Sequence, residues 1–206
     1  MGNKRILVTG ASGLLGLNFS LQYCDSFEII GALNRNALNH APFPCIQKDF
    51  MKAEFAGELI DEAKPDAILH CAALANLDVC ERNSDDARMM NGVIPGVLAE
   101  AAAKRSLPFL SISTDAVFDG QNPNPGGYLE SDETNPINVY ASTKLMGENS
   151  VLSAYPKAIV ARVNFYGWSI SGQRSLSEFF YQNLKAGRVV SGFTDVYFCP
   201  LYVRDL

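Results

Sequence analysis

The sequence predicts a doubly wound α/β fold in which helices cover both faces of one parallel sheet. Three observations carry that expectation. Short β-branched and aliphatic runs alternate with longer helical stretches, the rhythm of repeated strand–helix–strand units. A glycine-rich turn, Gly10-Ala11-Ser12-Gly13-Leu14-Leu15-Gly16, follows the first run and opens the first helix. No repeat or low-complexity linker divides the chain, so one core accounts for nearly all of its 206 residues.

Lys4 to Val8 reads as the first strand and Gly13 to Gln22 as the first helix. Phe27 to Leu33 is expected as a second strand, Cys45 to Gln47 as a short third, and Lys52 to Ala63 as a helix. Pro65 and Asp66 turn the chain into a buried strand, Ala67 to His70. A long helix is expected over Arg88 to Lys104, then a strand, Phe109 to Ser113, entered through Pro108. Asp119 to Pro136 is rich in Gly, Pro, Asn and Asp and reads as a long surface loop. Helix Val139 to Ala154, strand Ala158 to Val163 and helix Leu176 to Lys185 follow, with short extended pieces beyond position 165.

A hydrophobic content of 48% and a charged content of 19% suit a soluble globular protein. The net charge of −5 and the lack of a basic stripe argue against a nucleic-acid partner. Five scattered cysteines, an odd number with no C-x-x-C pair, read as reduced buried thiols. His40 and His70, the only histidines, have no ligand spacing with Cys or carboxylates, so no metal site is expected. Lys4 and Arg5 precede only Ile6-Leu7-Val8, too short a run for a secretion signal. No stretch is long enough for a membrane span, and a cytoplasmic protein is expected.

The glycine turn makes a specific physical demand. Gly10 permits a tight turn, Gly13 lets backbone approach a diphosphate, and Gly16 lets the helix lie close to the sheet. The helix N-terminus then offers free N–H groups and a positive dipole end to an anion. This strand–turn–helix context predicts a Rossmann-like dinucleotide site, with Ser12, Leu14 and Leu15 completing the turn. The second strand ends Ala32-Leu33-Asn34-Arg35 with no carboxylate to accept from a ribose hydroxyl. Arg35 can pair with a 2′-phosphate, so NADP(H) is preferred, with NAD(H) as the alternative. Arg35 as a solvated loop charge is the competing reading. Asp49 and Phe50 are expected at the cofactor site, Asp49 meeting the adenine ring or else capping the following helix.

Tyr140-Ala141-Ser142-Thr143-Lys144 places a phenol and an ammonium at i and i+4, on one helix face. A free tyrosine, with a pKa of about 10, exchanges protons poorly near neutrality. A lysine one turn away, helped by an oxidised nicotinamide, stabilises the phenolate. Ile112-Ser113-Thr114-Asp115 supplies a hydroxyl at a strand's C-terminal end, the edge at which open α/β sheets bind ligands.

With these residues the chain resembles the extended short-chain dehydrogenase/reductases. Ser111 to Gly120, Glu133 to Tyr140, and Lys144-Leu145-Met146-Gly147-Glu148 make it similar to their dTDP-4-dehydrorhamnose reductase branch. The resemblance implies an NAD(P)-dependent oxidoreductase that reduces the keto group of a 4-keto-6-deoxy sugar nucleotide. It implies that Thr114 binds the substrate oxygen, that Tyr140 is the general acid, and that Lys144 tunes it and holds the nicotinamide ribose. Cys71, Ala72, Ala73 and Leu74 would lie along the cofactor. Asn91 would stand near the catalytic helix or bridge backbone groups, and Asp115 would assist or cap the loop after it. Epimerase or dehydratase chemistry, and a non-catalytic cofactor-binding regulatory subunit of another enzyme, are the alternatives. Residues 1–165 are expected to bind the dinucleotide and 166–206 to begin a substrate-binding region. That region is expected to be incomplete, because relatives continue past Pro200 to Leu206. Pairing through the two long helices would make a homodimer.

Overall fold

The computed structural model describes residues 3–52, 54–121, 126–196 and 199–206. Residues 1–2, residue 53 of the expected second helix, 122–125 of the expected loop, and 197–198 lie outside the described residues. Its centre is a six-stranded parallel sheet of β1 (Arg5–Thr9), β2 (Glu28–Leu33), β3 (Cys45–Gln47), β4 (Ala67–His70), β5 (Phe109–Ser113) and β6 (Ile159–Arg162). The strand order is β3-β2-β1-β4-β5-β6. The chain works outward from β1 to β3, then crosses back to lay β4 on the other side of β1. That reversal opens a crevice between the C-terminal ends of β1 and β4, the place where such sheets bind ligands.

Helices α1 (Leu14–Tyr23), α2 (Phe55–Ala63), α3 (Leu77–Arg82), α4 (Ser84–Ala87), α5 (Ile94–Ala103), α6 (Val139–Ala154) and α7 (Leu176–Lys185) complete the framework. Adjacent strand residues feed opposite layers. Leu7, Ile30 and Ile68 pack into a core with Phe55, Leu59, Leu98 and Val151. Their neighbours Val8, Ile29 and Leu69 join Leu33, Phe43 and Ala11 on the other face. Removing a side chain such as fully buried Leu7 by Leu→Ala exchange costs about 2–5 kcal/mol.

The long helix expected over Arg88 to Lys104 is interrupted. Its N-terminal part is a π-helical turn, Arg88–Val93, that continues α4 and leads into α5. Pro95 sits in the first turn of α5 and has no N–H to donate, and the wider turn absorbs that gap. Beyond β6 the chain forms a separate parallel pair, β7 (Asn164–Tyr166) with β8 (Pro200–Tyr202). This segment lies across α1: Asn18 donates to the Trp168 carbonyl at 3.0 Å and Arg204 to Gln22 at 3.1 Å.

Candidate active site

The β1–α1 turn sits at the reversal of strand order. Gly10 adopts φ +68°, and a Cβ there would lie 2.7 Å from the Ala72 nitrogen. Gly16 lies so close to the turn that a Cβ would meet the Gly10 carbonyl at 2.5 Å. Gly13 caps α1 with no side chain over the helix end, and the first turn carries no acidic residue. Backbone donors at that N-terminus are thus uncovered by any cap, as a diphosphate requires. Ser12 and Leu14 belong to the same turn, while Leu15 faces inward at 6% exposed. Arg174, far along the chain, donates to the Ser12 carbonyl at 3.1 Å.

At the far end of β2 and β3, a cleft of about 510 Å³ is lined by Asn34, Arg35, Gln47, Lys48, Asp49 and Met51. Asn34, Arg35 and Asp49 are therefore brought together as the sequence predicts. Asp49 also accepts from the Met51 N–H at 3.0 Å in a local turn, and it does not cap α2, whose N-cap is Glu54. Phe50 corrects its expectation: its ring is buried in the core, stacked on Phe55 at 5.0 Å, and does not line the cleft. A cleft of similar size, about 560 Å³, is lined by Asp119, Asp132 and Glu133 among others. Its carboxylates would repel a diphosphate, so it is the poorer candidate.

The three residues expected to be catalytic, Thr114, Tyr140 and Lys144, lie on α6 and at the end of β5. Asn138 caps α6 by accepting from the Ala141 N–H at 2.8 Å, and Glu81 of α3 accepts from the Val139 N–H at 2.9 Å. These bonds fix the first turn, which carries Tyr140. Its hydroxyl lies near that of Thr114. Thr114 is 6% exposed and also accepts from the Ala116 N–H at 3.1 Å. Burial raises the Tyr140 pKa, the nearby Thr114 hydroxyl opposes this, and Cys80 and Asp115 reinforce it. The phenol is therefore protonated at neutral pH.

Lys144 is 5% exposed and donates to the Ile112 carbonyl at 2.7 Å. Burial lowers its pKa to about 8, against the raising influence of Glu148 and Cys71. At pH 7 it keeps its proton. Cys71, at the end of β4, is pushed up to about 12 by burial, with Lys144 acting against it, so its thiol is no nucleophile. Ala72 and Ala73 follow it along the crevice. Asn91, fully buried in the π-helical turn, does bridge backbone: it takes the Leu74 N–H at 2.8 Å and donates to the Leu74 carbonyl at 3.0 Å. It also donates to Thr143 at 3.2 Å, so it braces α6. The Asp115 carboxylate accepts from Thr114 and Asn164 at 3.3 Å each and, among the described residues, makes no bond to the loop after it.

Several functional neighbours were not visible beforehand. His70, Glu148 and Arg162 are partners made by folding, and only the one-turn spacing of Lys144 and Glu148 on α6 signalled any of them. Helix α3 carries Asn76 as an N-cap, bonded to the Val79 N–H at 2.9 Å, and that Asn before an acidic first turn was a readable start signal.

The family model described as RmlD substrate binding domain matches residues 4–206. The chain belongs to that family. Another of its relatives, a probable low-salt glycan biosynthesis reductase, Agl14, of Haloferax volcanii, is 35% identical over 94% of this chain and 65% of its own length. Methionine adenosyltransferase 2 subunit beta of Bos taurus is 35% identical over 78% of this chain and 46% of its own. Among solved RmlD-like structures, a hypothetical dTDP-4-dehydrorhamnose reductase from Sulfolobus tokodaii has a TM-score of 0.85 at 29% identity, covering 97% of this chain and 68% of that one. A dTDP-4-dehydrorhamnose reductase from Bacillus anthracis in complex with NADP has a TM-score of 0.70 at 25% identity, covering 90% and 61%. The chain thus spans between about half and two thirds of the curated relatives it matches. Among the described residues no helix is long and apolar enough to cross a membrane, and no group of three or more His, Cys, Asp and Glu could hold a metal.

Proposed function

We propose that this chain carries the cofactor site and catalytic residues of an NAD(P)H-dependent reductase acting on a 4-keto-6-deoxy sugar nucleotide, similar to dTDP-4-dehydrorhamnose reductase. The observation that carries this reading is the junction of Thr114, Tyr140 and Lys144 beside the uncovered glycine turn. The residues fit a dinucleotide. Gly10 and Gly16 leave no room for a side chain where the backbone must stay close, and Arg35 lies exposed in the cleft at the end of β2. The reduced nicotinamide, when bound, supplies the hydride. Thr114 then hydrogen-bonds the substrate oxygen, Tyr140 protonates it as charge develops, and the Lys144 cation lowers the cost of the phenolate left behind.

Residues 1–165 serve the dinucleotide in this reading, and 166–206 begin the substrate side. Five free cysteines fit a reducing compartment, the cytoplasm. Pairing of two copies through α5 and α6 is part of the proposal and is read by sedimentation.

The test is titration of NADPH and NADH into the chain, followed by Trp168 fluorescence, then NADPH oxidation with keto-sugar nucleotides. Tighter NADPH binding and turnover support the reading. Arg35→Ala should weaken NADPH more than NADH, and an equal effect on both removes Arg35 from the phosphate site. The relatives named as subunit beta of methionine adenosyltransferase 2 favour a second reading, a cofactor-binding partner of another enzyme. Cofactor binding with no turnover on any keto-sugar nucleotide would establish that reading instead.

A further inference from the structure

Lys144 and Glu148 lie one turn apart on α6, and both are fastened to consecutive residues of β5. Lys144 donates to the Ile112 carbonyl at 2.7 Å, and the Ser113 hydroxyl donates to Glu148 Oε1. Thr114 is the next residue. Glu148 is 6% exposed and also takes Nε and Nη2 of Arg162 at 2.7–3.1 Å. Arg162 in turn donates to the Glu130 carbonyl at 3.3 Å and lies over the Phe118 ring, 5.1 Å from its centroid. One carboxylate thus joins α6, β5, β6 and the loop that leaves Thr114.

A buried ion pair is a poor stabiliser, because desolvation offsets much of its attraction. Its geometry, by contrast, is specific: a forked guanidinium and a hydroxyl together leave the carboxylate one orientation. We propose that Glu148, gripped by Ser113 and Arg162, is a positioning residue that fixes the register of α6 against β5 and so holds Tyr140 and Lys144 in line with Thr114. Its kinetic consequence rests on the reductase reading; its effect on Lys144 does not. The charged and titratable groups facing Lys144 are Glu148 on its own helix and His70 and Cys71 at the end of β4. Arg162 reaches it through Glu148.

The test compares Glu148→Gln, Glu148→Asp and Arg162→Met by NADPH-dependent turnover and by NMR titration of the Lys144 ammonium. Glu148→Gln should lower kcat about 100-fold, the usual effect of a misplacement near 1 Å, with KM for NADPH little changed. Its Lys144 should titrate below the wild-type value, and Arg162→Met, which frees the carboxylate's charge, should move that titration upward. Glu148→Asp should recover part of kcat. A purely structural role predicts no such opposite movement. A folded Glu148→Gln protein with wild-type Lys144 titration and wild-type kcat overturns the proposal. Should Glu148→Gln fail to fold, Ser113→Ala removes one donor and keeps the ion pair. A lowered kcat or a shifted Lys144 titration in that variant supports the proposal, and wild-type values of both overturn it. If the unmodified protein turns over no keto-sugar nucleotide, the reductase reading fails, while the Lys144 titration still decides this one.

Discussion

His70 occupies a demanding position, with Nδ1 2.7 Å from the Thr9 hydroxyl and Nε2 buried without a hydrogen-bond partner. Burial, with the nearby Lys144 charge adding to it, holds its pKa down to about 3. The unfolded chain binds a proton at this residue near its ordinary pKa of about 6.5, and the folded chain does not until about 3. Stability from this group is therefore full above the unfolded value and falls by about 1.4 kcal/mol per pH unit as pH drops through that window. Denaturant unfolding of His70→Gln between pH 4 and pH 6.5 should show a shallower pH slope than wild type; an unchanged slope would place the titration elsewhere. Tyr140 gives the sharper functional prediction. Tyr140→Phe should abolish turnover and leave NADPH affinity nearly intact, and full activity in that variant would remove it as proton donor.

The pairing of α6 with the π-helical turn works through an absence of side chain. A Cβ on Gly147 would lie 2.1 Å from the Asn91 carbonyl oxygen, and one on Gly92 would meet Met146 at 2.7 Å. Gly147→Ala must push the two helices apart, at a cost of about 1–3 kcal/mol. It should loosen the Asn91–Thr143 bond as well, so thermal unfolding and kcat should both fall; a variant as stable and active as wild type would show that the helices separate freely. Much at this scale was legible in advance. Helices Val139–Ala154 and Leu176–Lys185 and strand Cys45–Gln47 stand where their patterns put them. Short α3 and α4 went unread because six and four largely exposed residues carry too little apolar periodicity. The glycines, Thr114, Tyr140 and Lys144 were readable because each belongs to a contiguous segment with its own local demand. Arg162, Ser113 and Arg174 were not, since their partners lie 14, 35 and 162 positions away and only tertiary structure brings them together.

For the molecule as a whole, binding should register as stability. A dinucleotide at about 100 times its Kd should stabilise the folded chain by about 2.7 kcal/mol. Melting temperature should rise with NADPH and rise less with NADH at equal concentration. No rise with either would mean that these residues do not form a competent dinucleotide site. The opposite end of the chain bears on that outcome. Glu178, fully buried, takes the N–H groups of Ser169, Arg174 and Ser175 at 2.5–3.0 Å, and so holds the segment that delivers Arg174 to Ser12.

That tether has a consequence in time. Within this chain the glycine turn precedes β4, against which Gly10 closes, by some 60 positions, and Ser12 precedes Arg174 by 162. Ring closures of that span are slow to form. During synthesis the glycine turn is thus made well before the segments that brace it.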